Sequence, residues 1–124
     1  MSQLLQMYRG DTFAFTRTVL DDAGQPVDLS MADVVFTAKR RFNDAPFLRK
    51  TIGDGIDLGG SGDSELTVTL EPADTAALTA TERFVWDIQY DDLMTMAVRT
   101  PFIGRLVVRL DVGDMAASGS GSGS

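Results

Sequence analysis

The run RFVWDIQYDDLMTMAVRTPFIGRLVVRLDV (83–112) decides how the rest of the chain is read. Phe84, Trp86, Ile88 and Tyr90 fall on every second position, with Val85, Asp87 and Gln89 between them. Successive side chains of a strand point to opposite faces of the pleat, so this alternation predicts a strand with one buried face. Beyond Asp91-Asp92 a second alternation sets Leu106, Val108, Leu110 and Val112 against Arg105, Val107, Arg109 and Asp111. The two runs predict an antiparallel hairpin with Trp86 as the largest anchor of the core. Pro101 and Gly104 predict an edge or a bulge near its second strand.

Upstream the same period recurs. Residues 65–70 place Leu66, Val68 and Leu70 on one face, and 33–42 place Val34, Phe36 and Ala38 inward. Residues 12–20 carry Phe13, Phe15 and Val19 in one parity, with Arg17 interrupting it, and 47–52 reads as a short strand. Turn residues separate these runs at DDAGQP (21–26) and NDAP (43–46). The stretch EPADTAAL (71–78) predicts a helical turn, because proline suits the first helical position and alanine favours helix. It is expected to bridge the two sheets at one end, with Leu78 as a plug. GDGIDLGGSGDS (53–64) is expected to be the most flexible part, with Ile56 and Leu58 able to form a transient edge pairing. Near the start, 3–8 is a short strand or an arm, and Leu4, Leu5 and Tyr8 are expected to dock on the sheet or on a neighbouring subunit. Seven or eight strands with almost no helix predict an all-β fold, an immunoglobulin-like antiparallel β-sandwich with one short helical turn near 72–78. One domain spans 1–113, with 1–9 as a possible arm. Residues 114–124 read as a flexible Gly/Ser linker, natural or appended.

Composition excludes whole classes of chemistry. The 124 residues contain neither cysteine nor histidine. There is no disulfide framework or thiol chemistry, and the usual general base, zinc ligand and imidazole-based triad are missing. A formal charge of −7 speaks against a general nucleic-acid binder, whose affinity comes from neutralising phosphates. No apolar run is long enough to span a bilayer, and the opening residues have no secretory pattern, so synthesis in a cytoplasm is expected.

The remaining candidates are weak as chemistry. Asp54, Asp57 and Asp63, with Glu65, offer hard oxygens to a calcium ion, but their spacing fits no calcium-loop pattern and a solvated turn explains them equally well. Asp21-Asp22 and Asp91-Asp92 are adjacent pairs that diverge, and nothing sets the separation of about 5 to 9.5 Å that glycosidases need. Gly59-Gly60-Ser61-Gly62 lacks the lysine of a phosphate loop. Arg9-Gly10-Asp11 spells the integrin-binding tripeptide and reads as a turn before a strand. Arg40 and Arg41, with Arg49 and Lys50, form a basic patch suited to an acidic partner surface or to other copies of the chain. Leu93, Met94 and Met96 at the hairpin tip suit either a protein interface or packing under a neighbouring loop. The expectation is a non-enzymatic chain without a cofactor.

Several segments together resemble a known family. GQPVDLS (24–30) with VVFTAK (34–39), then EPADT (71–75) with FVWDIQYD (84–91), then Thr100-Pro101 with GRLVV (104–108) and Asp111-Val112 follow one order. In that order they resemble the immunoglobulin-like domain of tailed-phage structural proteins, found at the N-terminus of baseplate upper proteins and as short virion proteins. The match covers roughly 8–112. Two departures stand out: Thr81-Glu82-Arg83 replaces a glycine before the aromatic strand, and Asp92-Leu93-Met94-Thr95-Met96 replaces an Asp-Gly hairpin. The resemblance implies a virion protein of tail, baseplate or neck, made in the host cytoplasm. Its implied partners are other phage structural proteins and further copies of itself, with no nucleic acid and no membrane. A capsid-surface decoration protein and a carbohydrate-binding β-sandwich are the alternatives.

Overall fold

The computed structural model describes residues 2–110, and its strands are β1 (Ser2–Tyr8), β2 (Phe13–Thr18), β3 (Ala32–Lys39), β4 (Leu48–Ile52), β5 (Gly55–Gly59), β6 (Glu65–Leu70), β7 (Glu82–Asp92) and β8 (Val98–Arg109). A short helix, α1 (Pro72–Thr75), lies between β6 and β7. Val112 and the Gly/Ser stretch 114–124 lie outside the described residues.

The strands join in one hydrogen-bonded order, β1-β8-β7-β3-β4-β5-β6-β2. That ribbon folds over on itself. Phe15 of β2 and Trp86 of β7 are far apart in the order, yet their ring centroids are 5.6 Å apart. One layer is therefore β1-β8-β7-β3-β4 and the other β5-β6-β2, with the core between them. This is the strand order of immunoglobulin-like sandwiches, in which the third, last and second-last strands of one sheet face the second and its partners in the other. The sheet is not wholly antiparallel as expected, because β1 runs parallel to β8 and β4 parallel to β5.

The core is built from the alternation. Trp86, Phe36 and Phe15 meet with centroids 5.6 to 5.9 Å apart, and Trp86 donates its indole N–H to the Arg105 carbonyl at 3.0 Å. Phe84 stacks on Phe47 at 4.8 Å. At one end, α1 and the turn after it tie the layers together as the sequence suggests. Lys50 reaches Asp74 at 2.9 Å, the Gly10 amide donates to Thr75 Oγ1, and Arg9 donates to the Leu78 carbonyl. Leu78 is buried as the plug. The Arg9-Gly10-Asp11 segment is thus a turn bound to the body of the domain.

Two readings change. The glycine-rich stretch holds a strand, β5, in which Ile56 is fully buried and pairs with Val68. Gly53, Gly55, Gly60 and Gly62, all at positive φ, make the tight corners around it. Leu5, expected on the sheet or at a neighbouring subunit, is buried in the core with Met7 and is no interface residue, because β1 lies along β8 and alternates like any other half-buried strand. Gly104 permits this: a methyl group at that position would overlap the Gln3 backbone carbonyl. Of the edge or bulge expected near Pro101 and Gly104, the bulge is the one present, since β8 is covered by β1. Ile88 faces Phe102 while Tyr90 faces Arg99, so β8 carries one extra residue around Pro101.

Candidate functional site

At the end of the sandwich opposite α1, the β7–β8 hairpin meets the loop between β2 and β3. The hairpin tip is held by Asp92, which uses every polar group it has. Its amide donates to the Ala97 carbonyl at 2.8 Å, and its carbonyl accepts from the Met96 amide at 2.7 Å. Its carboxylate accepts from the amides of Met94 at 2.9 Å and Thr95 at 3.3 Å. The Leu93 amide donates to the Met31 carbonyl, which ties the tip to the neighbouring loop. Met96 takes a φ of 62°, the left-handed region that β-branched residues avoid.

This fixed backbone displays apolar side chains to solvent. Met94 is 75% exposed and Met96 78%, and Leu93, Met31 and Val98 are each at least half exposed. A rigid turn gives such side chains no means of retreating into the core. Methionine's unbranched, polarizable chain adapts to a partner surface, and a contiguous exposed apolar group marks a contact site.

The surroundings are acidic. Asp21 caps the β2–β3 loop by accepting from the amides of Ala23 and Gln25, and Asp28 accepts from the Ser30 amide. A cleft between that loop and the hairpin is lined by Leu20, Asp21, Asp22, Asp92 and Arg99. Hydrogen bonds from Ser30 hold the Asp28 carboxyl below its ordinary pKa, and amide donation from Met94 and Thr95 does the same for Asp92. A lowered pKa means the charged form steadies the turn above the ordinary carboxylate range, and that contribution is lost as pH falls through the lowered value. The Met94 amide resonance is therefore expected to titrate with a midpoint below that of an ordinary aspartate. Asp92→Asn keeps the acceptor and removes the titration. An unchanged titration in that variant assigns the response to another group.

The other sequence candidates are dispersed. Among the described residues, no three carboxylates, Asp54, Asp57, Asp63 and Glu65 included, converge as a metal site. The basic patch is also divided. Arg40 forms a two-pronged pair with Glu82, at 2.6 and 3.2 Å, and lies over the rings of Phe47 and Phe84. Lys50 is spent on Asp74, whereas Arg41 and Arg49 are exposed. Leu4 and Tyr8 are exposed on the outer side of β1, beside Arg105 and Arg109. Of the large aromatics, Trp86 and Tyr90 are buried, whereas Tyr8 and Phe42 are exposed.

No family model matches the sequence. No curated protein matches it either. Among solved structures, the chain is similar to AggA, the major subunit of aggregative adherence fimbriae type I from Escherichia coli. The two share 10% identity over 86% of this chain and 90% of that one, with a TM-score of 0.37. So loose an overlap adds nothing to the strand order, on which the fold assignment rests.

Sequence reasoning identified Leu93, Met94 and Met96 but missed Met31, Leu20 and Val98. Met31 carried a faint signal, as a lone large apolar residue between two turn segments.

Proposed function

We propose that this chain is a non-enzymatic structural subunit that works by binding protein at its methionine-bearing loop end. The observation that carries the reading is the hairpin tip: a backbone fixed by Asp92, presenting Leu93, Met94 and Met96 outward. Fixing a loop before contact removes much of the ordering cost of association. The assembly is a tailed-phage virion, a reading supported by the ordered motifs between 24 and 112 and compatible with the immunoglobulin-like strand order.

The test is incorporation. The chain is expected at fixed stoichiometry in purified particles of the phage that encodes it. Leu93→Asp with Met94→Asp should keep its urea midpoint, because both side chains are exposed, and should fall at least roughly tenfold in particle content, as for loss of interface anchors. Particles without the chain, or full incorporation of the double variant, would refute the proposal.

A further inference from the structure

The outer face of the five-stranded layer differs in character from the loop end. Alternation directs Leu4 and Tyr8 of β1, Ile103 of β8 and Val85 of β7 away from the core, and the first three are 58%, 47% and 41% exposed. Between them stand Arg105 and Arg109 of β8 and Arg83 of β7, all exposed, with Lys39 of β3 nearby. The acid within this field is Asp87. Burial pushes its pKa above the ordinary value, with Lys39 pulling the other way. A carboxyl on an outer sheet face that is already partly desolvated marks ground where water is thin.

The loop end carries the complement. Leu93, Met94 and Met96 follow Asp91 and Asp92 at the hairpin tip, and the cleft beside the hairpin is lined by Asp21, Asp22 and Asp92, with Arg99 as its one cation. One surface is apolar with cations and the other is apolar with anions, and both belong to the same chain. They lie on different parts of the molecule, the first along the strands and the second at their tips. A whole-chain charge of −7 makes copies repel at a distance. A contact that sets the aspartates against the arginines is the arrangement in which approach is favourable.

We infer that the partner of the loop end is the outer face of β1-β8-β7 on a second copy of this chain, in a head-to-face contact that propagates from copy to copy. This rests on the loop end being a protein interface. Two different patches in contact make a heterologous interface, which yields rings or open filaments. Ion pairs at the rim make the contact sensitive to salt, whereas an apolar contact alone would strengthen in sulfate.

Light scattering across a dilution series tests this with three proteins: the wild type, the face variant Arg105→Glu with Arg109→Glu, and the loop variant Leu93→Asp with Met94→Asp. The wild type is expected to pass beyond dimer as concentration rises and to fall back at high sodium chloride. Each variant alone is expected to remain monomeric, its dissociation constant raised roughly ten- to hundredfold. Mixed, the two are expected to give a 1:1 dimer and nothing larger, since one supplies an intact loop end and the other an intact face. A face variant that assembles like the wild type, a wild type that is monomeric throughout, or a mixture that stays monomeric overturns the inference. None of these touches the particle-incorporation result, so the two readings fail separately.

Discussion

Trp86→Ala is expected to lower stability by about 3 to 5 kcal/mol, the range for truncating a large aromatic in a packed core. Trp86 is 1% exposed and in contact with both Phe15 and Phe36, so its loss opens a cavity where the two layers meet. The Arg105 carbonyl also loses its indole donor. Domains of this size hold about 5 to 15 kcal/mol in all, so the variant is expected to be partly unfolded near its former working temperature. Because Trp86 is the chain's one tryptophan, circular dichroism in urea is the suitable readout. Trp86→Phe keeps a ring between Phe15 and Phe36 and should cost clearly less. A loss below about 1 kcal/mol for the alanine variant would mean that the layers do not close on this side chain.

Gly104→Val should be nearly as damaging, for a different reason. Gly104 faces Trp86 on one side and Gln3 on the other, and any side chain there runs into the β1 backbone. Backbone cannot swing aside as a side-chain tip can, so β1 has to leave. Its departure exposes Leu5 and Met7, each worth about 1.5 to 3 kcal/mol when buried. The expected cost is therefore on the order of 3 kcal/mol or more. A double-mutant cycle isolates the mechanism. Leu5→Ala should cost about 2 to 5 kcal/mol in the wild type and close to nothing once Gly104→Val has displaced the strand. Additive losses would show that β1 remains docked and that the damage lies elsewhere.

These two positions also show which parts of the fold were legible in the sequence. Trp86 sits in an uninterrupted alternation, and period alone placed it in the core. Gly104 announced an irregularity, but its cause is Gln3, about a hundred residues away, and no local pattern encodes that approach. Leu5 was left open between the sheet and a neighbouring subunit for the same reason, since its burial depends on the last strand. In β5 the strand is seated by Ile56, with Leu58 partly buried beside it, and these two were outweighed by the glycines and aspartates around them. The loop end divides along the same line. Leu93, Met94 and Met96 are visibly apolar where a turn should be polar, whereas Leu20, Met31 and Val98 join them only through folding. Arg40 was read as free charge because its partner Glu82 lies on another strand.

The parallel seat of β1 on β8 has a consequence for how the domain comes into being. The first strand made is the mate of the last, with Tyr8 opposite Arg109. During synthesis, Leu5 and Met7 must wait uncovered until nearly the whole domain has left the ribosome. Closing a loop of that length is slow relative to the local hairpins. The hairpin of β7 and β8 closes locally once both strands are out and offers a ready template, whereas β1 has the longest loop to close. Until it does, β8 is an open edge that another chain's first strand can occupy. High local concentration of nascent chains would therefore favour exchange of β1 between neighbours over docking at home.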